Sequence, residues 1–549
     1  MRIALCQINP TVGDLAGNLD LVLAASRRAA ARGADLAVFP ELVLTGYPPR
    51  DLLEKESFRS RSLEALEKLI AASAGIPCGI VAGYVGAAPP GSRRSAANSA
   101  ALIENGRLLA TQSKMLLPTY DVFDEGRYFQ PASSQRVCEF RGVPLGIAIC
   151  EDAWNDKQFW DRPLYDSDPV ESLVSQGARL ILSINGSPYD MAKRALRREM
   201  FSSMARRHRA PHVYVNMVGG NDQLVFDGSS FAVDSSGRIA AAAPSFREDI
   251  LLFDADAGEG EWRESHADET DAAYDALVLG TRDYLQKCGF RSALVGLSGG
   301  IDSTLVACIA VDAIGPENVT GVSMPGPFSS DHSLADARTL AANLGIRYEV
   351  IPITPAFETM LATLAPVFRG APADVTEENI QSRLRGLVLM ALSNKWGALV
   401  LTTGNKSEIA MGYCTLYGDM AGGLAVISDV PKTMVYELCR RVNERKAGLI
   451  PENVFVKPPS AELRPNQKDS DSLPEYGVLD PILKAYIEEL KSPAQIAAEL
   501  GHPPDFVRRI INTVDRNEYK RQQAAPGIKV TTKAFGMGRR YPIAQRFSE

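Results

Sequence analysis

Histidine is scarce, cysteine is scattered and neither sign of charge dominates, and each shortage removes a class of function. The five histidines, His208, His212, His266, His332 and His502, form no zinc-type grouping with the eight cysteines, so a zinc centre is not expected. The cysteines run from Cys6 to Cys439 without a C-x-x-C pair, which argues against a disulfide-built scaffold and suits a reducing compartment. Most of them read as buried thiols. No apolar run is long enough to span a bilayer. Met1 leads straight into Arg2-Ile3-Ala4-Leu5-Cys6-Gln7, which reads as a first strand and not as a secretory leader, so the expected location is cytoplasmic. Lysines and arginines number 59 against 66 aspartates and glutamates, a formal net charge of -7. That balance gives no general attraction for nucleic acid or an anionic membrane, and neither is expected as a partner.

What is present is the composition of an ordinary folded chain, 45% hydrophobic and 23% charged, and 549 residues are too many for one core. The clearest change of character is the acidic, small-residue stretch 254–271, which reads as a linker. The expected division is a domain over 1–255, a linker over 256–270 and a domain over 271–549. Upstream, short apolar strands at 3–6, 36–39, 79–83, 146–150, 180–184 and 212–216 alternate with helical stretches, the signature of layered α/β architecture. Downstream, a helix at 271–287 precedes strands at 293–297, 319–323, 348–352 and 398–402 separated by helices, which predicts a doubly wound parallel sheet. A helix-turn-helix is expected at 481–516 and coil from 524 to 549.

The most informative stretch is Gly296-Leu297-Ser298-Gly299-Gly300-Ile301-Asp302-Ser303, a glycine-rich turn between an apolar strand and a helix expected over 304–314. Unpaired N–H groups at a helix start carry the positive end of its dipole, and Gly299 and Gly300 leave room for a close anion. Ser298 and Ser303 add hydroxyl donors, and Asp302 could hold a divalent metal on phosphate oxygens. No lysine follows the second glycine, so this is not the common G-x-x-x-x-G-K-[ST] loop. A tight turn with no ligand is the plainer reading of the string alone.

In the first half, Glu41, Lys114 and Cys150 each stand where an apolar strand ends, the usual place for catalytic groups in α/β folds. A thiol attacks a carboxamide best as thiolate; a nearby ammonium lowers its pKa and a carboxylate can take its proton. Lys114 could also stabilise an oxyanion, and Glu41 could protonate departing ammonia and activate water. Singly, a solvated Glu or Lys and a core Cys remain open alternatives.

The strings Phe39-Pro40-Glu41-Leu42, Lys114-Met115-Leu116-Leu117 followed by Tyr120-Asp121-Val122-Phe123-Asp124-Glu125, and Cys150-Glu151-Asp152-Ala153-Trp154 resemble, in order, the three signature regions of the nitrilase superfamily. The resemblance covers about residues 1–255. It implies an αββα sandwich with Glu41 as general base, Lys114 as electrostatic partner, Cys150 as nucleophile and Glu125 as a support for the lysine. In the glutamine-hydrolysing branch it further implies that Tyr120, Ser187 and Lys193 hold the amino-acid end of L-glutamine. Where that branch commonly has His and Gly, this chain has Asp190 and Ala192.

In the second half, Thr402-Thr403-Gly404-Asn405-Lys406-Ser407-Glu408 ends another strand, and Glu408 with Asp302 could chelate Mg²⁺ on pyrophosphate. Asn379 and Arg383 fall four apart, on one face of a helix, where a solvated charged face is the alternative. These segments, with Tyr417-Gly418-Asp419, Pro431-Lys432-Thr433, the run from Pro458 to Arg464 and Glu518-Tyr519-Lys520-Arg521, resemble the NAD synthetase branch of the ATP pyrophosphatases over about 270–545. The resemblance implies ATP contacts from Gly296 to Ser303 and at Thr403, Lys432 and Ser460. It implies metal ligands at Asp302 and Glu408, and deamido-NAD contacts at Asn379, Arg383, Glu408 and Lys520.

The halves complement each other, because an adenylated carboxylate needs free ammonia and neutral water holds mostly ammonium. A local amidase supplies that nucleophile, and an internal passage lined by apolar groups is expected to carry it. Over nearly its whole length the chain thus resembles the glutamine-dependent synthetases, a family likeness that implies a homo-oligomer, with an octamer suspected. Another amidotransferase of the same loop class with a different acceptor, and a nucleotide sensor carrying a decayed amidase, are the alternatives.

Overall fold

The computed structural model describes residues 1–264 and 268–547. His266, part of the expected linker and the end of the expected terminal coil lie outside the described residues. The chain forms two compact units, Met1–Ala272 and Ala273–Glu549.

In the first unit a seven-stranded sheet runs in the order Glu259–Gly260, Asp249–Asp254, Arg2–Gln7, Leu36–Val38, Gly79–Ala87, Ala96–Glu104, Arg107–Ser113. A six-stranded sheet runs Ile239–Ala242, Phe231–Val233, His212–Asn216, Leu180–Asn185, Val143–Ile149, Cys138–Phe140. Alternation along each strand sends one set of side chains to the seam between the sheets: Ile3, Leu5, Leu36 and Val38 meet Leu145, Ile147, Leu180, Leu182, Val213 and Val215. The opposite set packs under helices. Val22, Ala25 and Ala29 of Leu15–Ala31 and Ala65 and Leu69 of Glu56–Ser73 cover Ala4, Cys6, Ala37 and Ile80. Leu173 of Pro169–Ser175 and Met200, Phe201 and Met204 of Lys193–His208 cover Ala148, Ile181 and Tyr214. The result is the expected αββα sandwich. All eight cysteines are free thiols.

His212 is fully buried in this second layer. Its Nδ1 bonds to the Ala210 carbonyl oxygen (2.9 Å), while Nε2 has no hydrogen-bond partner. Burial holds its pKa down at about 3, helped by the neighbouring His208 and Arg207. An unfolded histidine binds its proton near pH 6.5, so between that pH and the folded pKa unfolding takes up a proton and stability falls as pH falls. The first unit is therefore expected to lose about 1 kcal/mol per pH unit from this group between about pH 6 and pH 4. Hydrogen exchange of the strand His212–Asn216 measures it, and His212→Phe should flatten the slope.

In the second unit all strands are parallel, in the order Arg347–Val350, Val319–Ser323, Ala293–Gly296, Leu399–Thr402, Leu424–Ala425. The order reverses beside Ala293–Gly296, and ligands of such sheets bind beyond the carboxyl ends of the strands at that point. Instead of a helix-turn-helix at 481–516, three helices, Tyr476–Ile487, Pro493–Leu500 and Pro504–Arg516, form one cluster. Pro481 lies inside the first of them, because burying Leu479, Ile482, Leu483 and Ile487 outweighs the preference of proline for a first turn. Part of the expected linker belongs to the first unit: Glu259–Gly260 pairs with Asp249–Asp254, and Trp262 bridges to Ala242. No helix among the described residues is long and apolar enough to cross a membrane.

Candidate functional site

Three chain segments bring Glu41, Lys114 and Cys150 together in the first unit. Glu41 follows Leu36–Val38, Lys114 follows Arg107–Ser113, and Cys150 follows Val143–Ile149. All three side chains are buried. Glu41 Oε1 accepts from Lys114 Nζ (2.7 Å) and from Asn98 Nδ2 (2.6 Å), and its Oε2 accepts from the Gly186 amide (2.8 Å). A Cβ at Gly186 would stand 3.2 Å from that oxygen and 3.1 Å from the Tyr47 ring, so a side chain there would have to push both aside by a few tenths of an ångström. Lys114 Nζ also donates to Glu125 Oε1 (2.9 Å), which accepts from the Tyr47 hydroxyl (2.8 Å).

Cys150 sits at φ 46°, in the left-handed region that non-glycine residues rarely occupy. Negative charge outnumbers positive around it. Burial first, and then Glu41, push its thiol well above the ordinary value, while Lys114 acts downward without prevailing. Against the expectation of an ammonium-lowered thiol, burial and the surrounding carboxylates favour the protonated form, so the proton has to leave as the sulfur attacks. Burial likewise lifts Glu125 to about 7, against the pull of Lys114.

Asp152 was not expected to matter, yet it ties two of the segments together. Its Oδ1 accepts from the Met115 and Leu116 amides (3.0 and 2.8 Å), and its Oδ2 from the Ile149 amide (3.3 Å) and Gln135 Nε2 (2.6 Å). Asn98 was also missed. It lies on Ala96–Glu104, which turns through Asn105 (φ 47°) and Gly106 (φ 75°) into the strand that ends before Lys114. That Asn-Gly pair is a sequence signal for a two-residue hairpin turn.

Of the remaining residues expected here, the Tyr120 hydroxyl donates to Glu151 (3.0 Å), and Ser187 is buried with its amide on Asn216 Oδ1 (2.9 Å). Lys193 Nζ lies 5.7 Å from the centre of the Trp154 ring and 3.7 Å from Asp190. Ala192 holds φ 74° immediately before the helix Lys193–His208, a conformation natural to glycine.

In the second unit the loop from Gly296 to Ser303 lines a cavity of about 280 Å³, and Thr403, Glu408, Lys432 and Ser460 line it too. Gly300 caps the helix Ile301–Ile314 without a side-chain hydrogen bond, which leaves its first amides for an anion. Gly299 has φ 77°, and a Cβ there would fall 2.2 Å from the Ser333 carbonyl oxygen. Ser298 and Ser303 hydroxyls pair at 3.2 Å across the turn.

Asp302 and Glu408 converge on one ammonium: Lys432 Nζ pairs with Asp302 Oδ2 and with Glu408 Oε1 (3.2 Å). Asn405, another residue given no role in advance, caps Lys406–Met411 at the Glu408 amide (3.0 Å) and donates Nδ2 to Asp302 Oδ1 (2.8 Å). Burial lifts Glu408 to about 8, with Asp302 and Asp469 pushing the same way against Lys432. Asp302, Glu408 and Asp469 place hard oxygen donors beside Lys432, the donor type that a divalent cation such as Mg²⁺ takes. Among the described residues no group of three or more acidic, His or Cys side chains is arranged to hold a metal.

Asn379, Arg383 and Lys520 meet one segment of chain. Asn379 Oδ1 accepts from Thr415 Oγ1 (2.9 Å), Arg383 Nε donates to the Leu416 carbonyl (3.2 Å), and Lys520 Nζ donates to the Gly412 and Cys414 carbonyls (2.7 and 2.8 Å).

A buried thiol with a carboxylate and an amine on an αββα sandwich, followed by an anion-binding turn on a parallel sheet, defines the class of a two-centre amidase and nucleotide enzyme. Residues 2–264 match the carbon-nitrogen hydrolase family and residues 273–524 the NAD synthase family. The chain belongs to the family of glutamine-dependent NAD(+) synthetases. It is 50% identical to the glutamine-dependent NAD(+) synthetase of Synechocystis sp. over 99% of both chains, and 44% identical to that of Thermotoga maritima over 100% of this chain and 99% of that one. The solved structure of the Acinetobacter baumannii glutamine-dependent NAD+ synthetase in complex with ADP is 41% identical, with a TM-score of 0.77 over 99% of this chain and 98% of that one.

Proposed function

We propose that this enzyme makes NAD from deamido-NAD, ATP and L-glutamine in the cytoplasm, giving AMP, pyrophosphate and glutamate. The observation that carries the proposal is the pairing, in one chain, of the buried Glu41–Lys114–Cys150 centre with the phosphate turn at the switch point of a parallel sheet. Likeness to glutamine-dependent NAD(+) synthetases along the whole chain supports it.

In the first unit Cys150 Sγ attacks the side-chain amide carbon of glutamine while Glu41 takes the thiol proton, and Lys114 Nζ offsets charge on the tetrahedral oxygen. Glu41 returns a proton to the departing nitrogen, so ammonia leaves and a thioester remains. Water, deprotonated by Glu41, then releases glutamate and restores the thiol. Tyr120, Ser187 and Lys193 hold the amino-acid end. Glu125 supports Lys114.

In the second unit the carboxylate of deamido-NAD attacks the α-phosphorus of ATP and pyrophosphate departs. Ammonia then attacks the acyl carbon and AMP leaves. The residues from Gly296 to Ser303, with Thr403, Lys432 and Ser460, bind ATP; Asn379, Arg383, Glu408 and Lys520 face deamido-NAD. Asp302 and Glu408 would hold Mg²⁺, which would supply charge neutralisation on the phosphates.

Self-association is part of the proposal, since the helices Thr354–Phe368 and Val375–Trp396 expose Met360, Val367, Leu387 and Met390. The test of the activity is a mass-resolved product assay with ATP and glutamine that offers deamido-NAD beside other carboxylate acceptors; absence of NAD eliminates the proposal. Gly299→Ala is expected to lower ATP-dependent synthesis about tenfold or more, since the new methyl meets both the left-handed backbone and the Ser333 carbonyl. Calorimetric titration with ATP should locate the loss in nucleotide affinity.

A further inference from the structure

Arg197 is among the largest side chains that the fold buries completely. It lies on Lys193–His208, one turn beyond Lys193. Its Nη1 donates to both oxygens of Asp227 (2.8 Å each), and its Nη2 donates to the Ser187 carbonyl (3.0 Å), the Ser187 hydroxyl oxygen (3.1 Å) and the Pro188 carbonyl (3.0 Å). Asn216 completes the cradle: Oδ1 accepts from the Ser187 amide (2.9 Å), and Nδ2 donates to the Ser187 carbonyl (3.1 Å) and to Asp227 Oδ1 (3.4 Å). The Tyr214 ring centre lies 5.7 Å from the guanidinium carbon.

A buried ion pair adds little net stability compared with apolar packing, so its presence calls for another explanation. Here the geometry supplies one. Both main-chain polar atoms of Ser187 are held, and its Oγ accepts from Arg197, which fixes where the hydroxyl oxygen stands. The same guanidinium also fixes the helix whose first residue is Lys193.

We propose that Arg197, clamped by Asp227, is a positioning residue for glutamine that orients Ser187 and the helix start at Lys193 to receive the α-amino-acid end of the substrate. The proposal rests on the reading that Ser187 and Lys193 contact that end. It adds that their orientation is set by a charge the substrate never touches.

The test uses the full-length enzyme and glutaminase kinetics for Arg197→Lys, Ser187→Ala and the double variant. Each single change is expected to raise KM for L-glutamine about tenfold while kcat moves less than about threefold, a split that general loosening of the fold would not give. Because Arg197 acts through Ser187, the double variant should exceed Ser187→Ala by less than about twofold. A KM within about twofold of wild type in folded Arg197→Lys, or increases that multiply in the double variant, overturns the proposal. If Arg197→Lys loses its thermal transition, the paired exchange Arg197→Met with Asp227→Leu removes both charges together and is held to the same criteria. An unchanged KM in Ser187→Ala identifies the underlying contact reading as the one that failed, and takes the proposal with it.

Discussion

Cys150→Ala is expected to reduce glutamine-driven NAD formation by about 10³-fold or more, while synthesis from added ammonium continues at close to the wild-type rate. The first effect follows from removing the sulfur proposed to form the thioester. The pairs of Lys114 with Glu41 and Glu125 do not involve the sulfur, so the unit is expected to keep its fold. The second effect follows from the division of the chain into two units with separate chemistry. Parallel assays with glutamine and with an ammonium salt, each followed by NAD yield, make the comparison. A folded variant that fails with ammonium as well would refute the division of labour.

Asp302→Ala is expected to fail with both nitrogen donors, by about 10²-fold or more, because it acts before ammonia is needed. The exchange removes a carboxylate from the first turn of Ile301–Ile314 and leaves Lys432 paired with Glu408 and Asn405 Nδ2 without its acceptor. Glutaminase turnover should persist. Pyrophosphate release from ATP and deamido-NAD without a nitrogen donor is the sensitive readout, since it isolates adenylation. Normal release with lost NAD would move Asp302 from the phosphate site to the amination step.

The sequence made the strand ends legible before the layers between them. Glu41, Cys150 and Asp302 each follow a short apolar run, and that local rule survives because buried strands must be apolar whatever their neighbours are; Lys114 instead follows the largely exposed strand Arg107–Ser113. The strands Ala96–Glu104 and Arg107–Ser113 were missed: the first is rich in alanine, and the second leaves both of its leucines exposed. Their Asn105-Gly106 turn was the available clue. Asp152, Asn98 and Asn405 could not be read at all, since each acts across 37, 57 and 103 residues of sequence on a partner that only the fold brings near. The direction in which the Cys150 thiol is shifted was not legible for the same reason. One lysine looked decisive in the string, but Glu41, Glu125 and Glu151 surround the thiol as well.

That protonated sulfur has a consequence for the idle enzyme. Peroxide and stray electrophiles react with thiolates far faster than with thiols, and enclosure slows them further. A nucleophile that loses its proton only as an amide carbon reaches it is expected to react slowly with such reagents between turnovers.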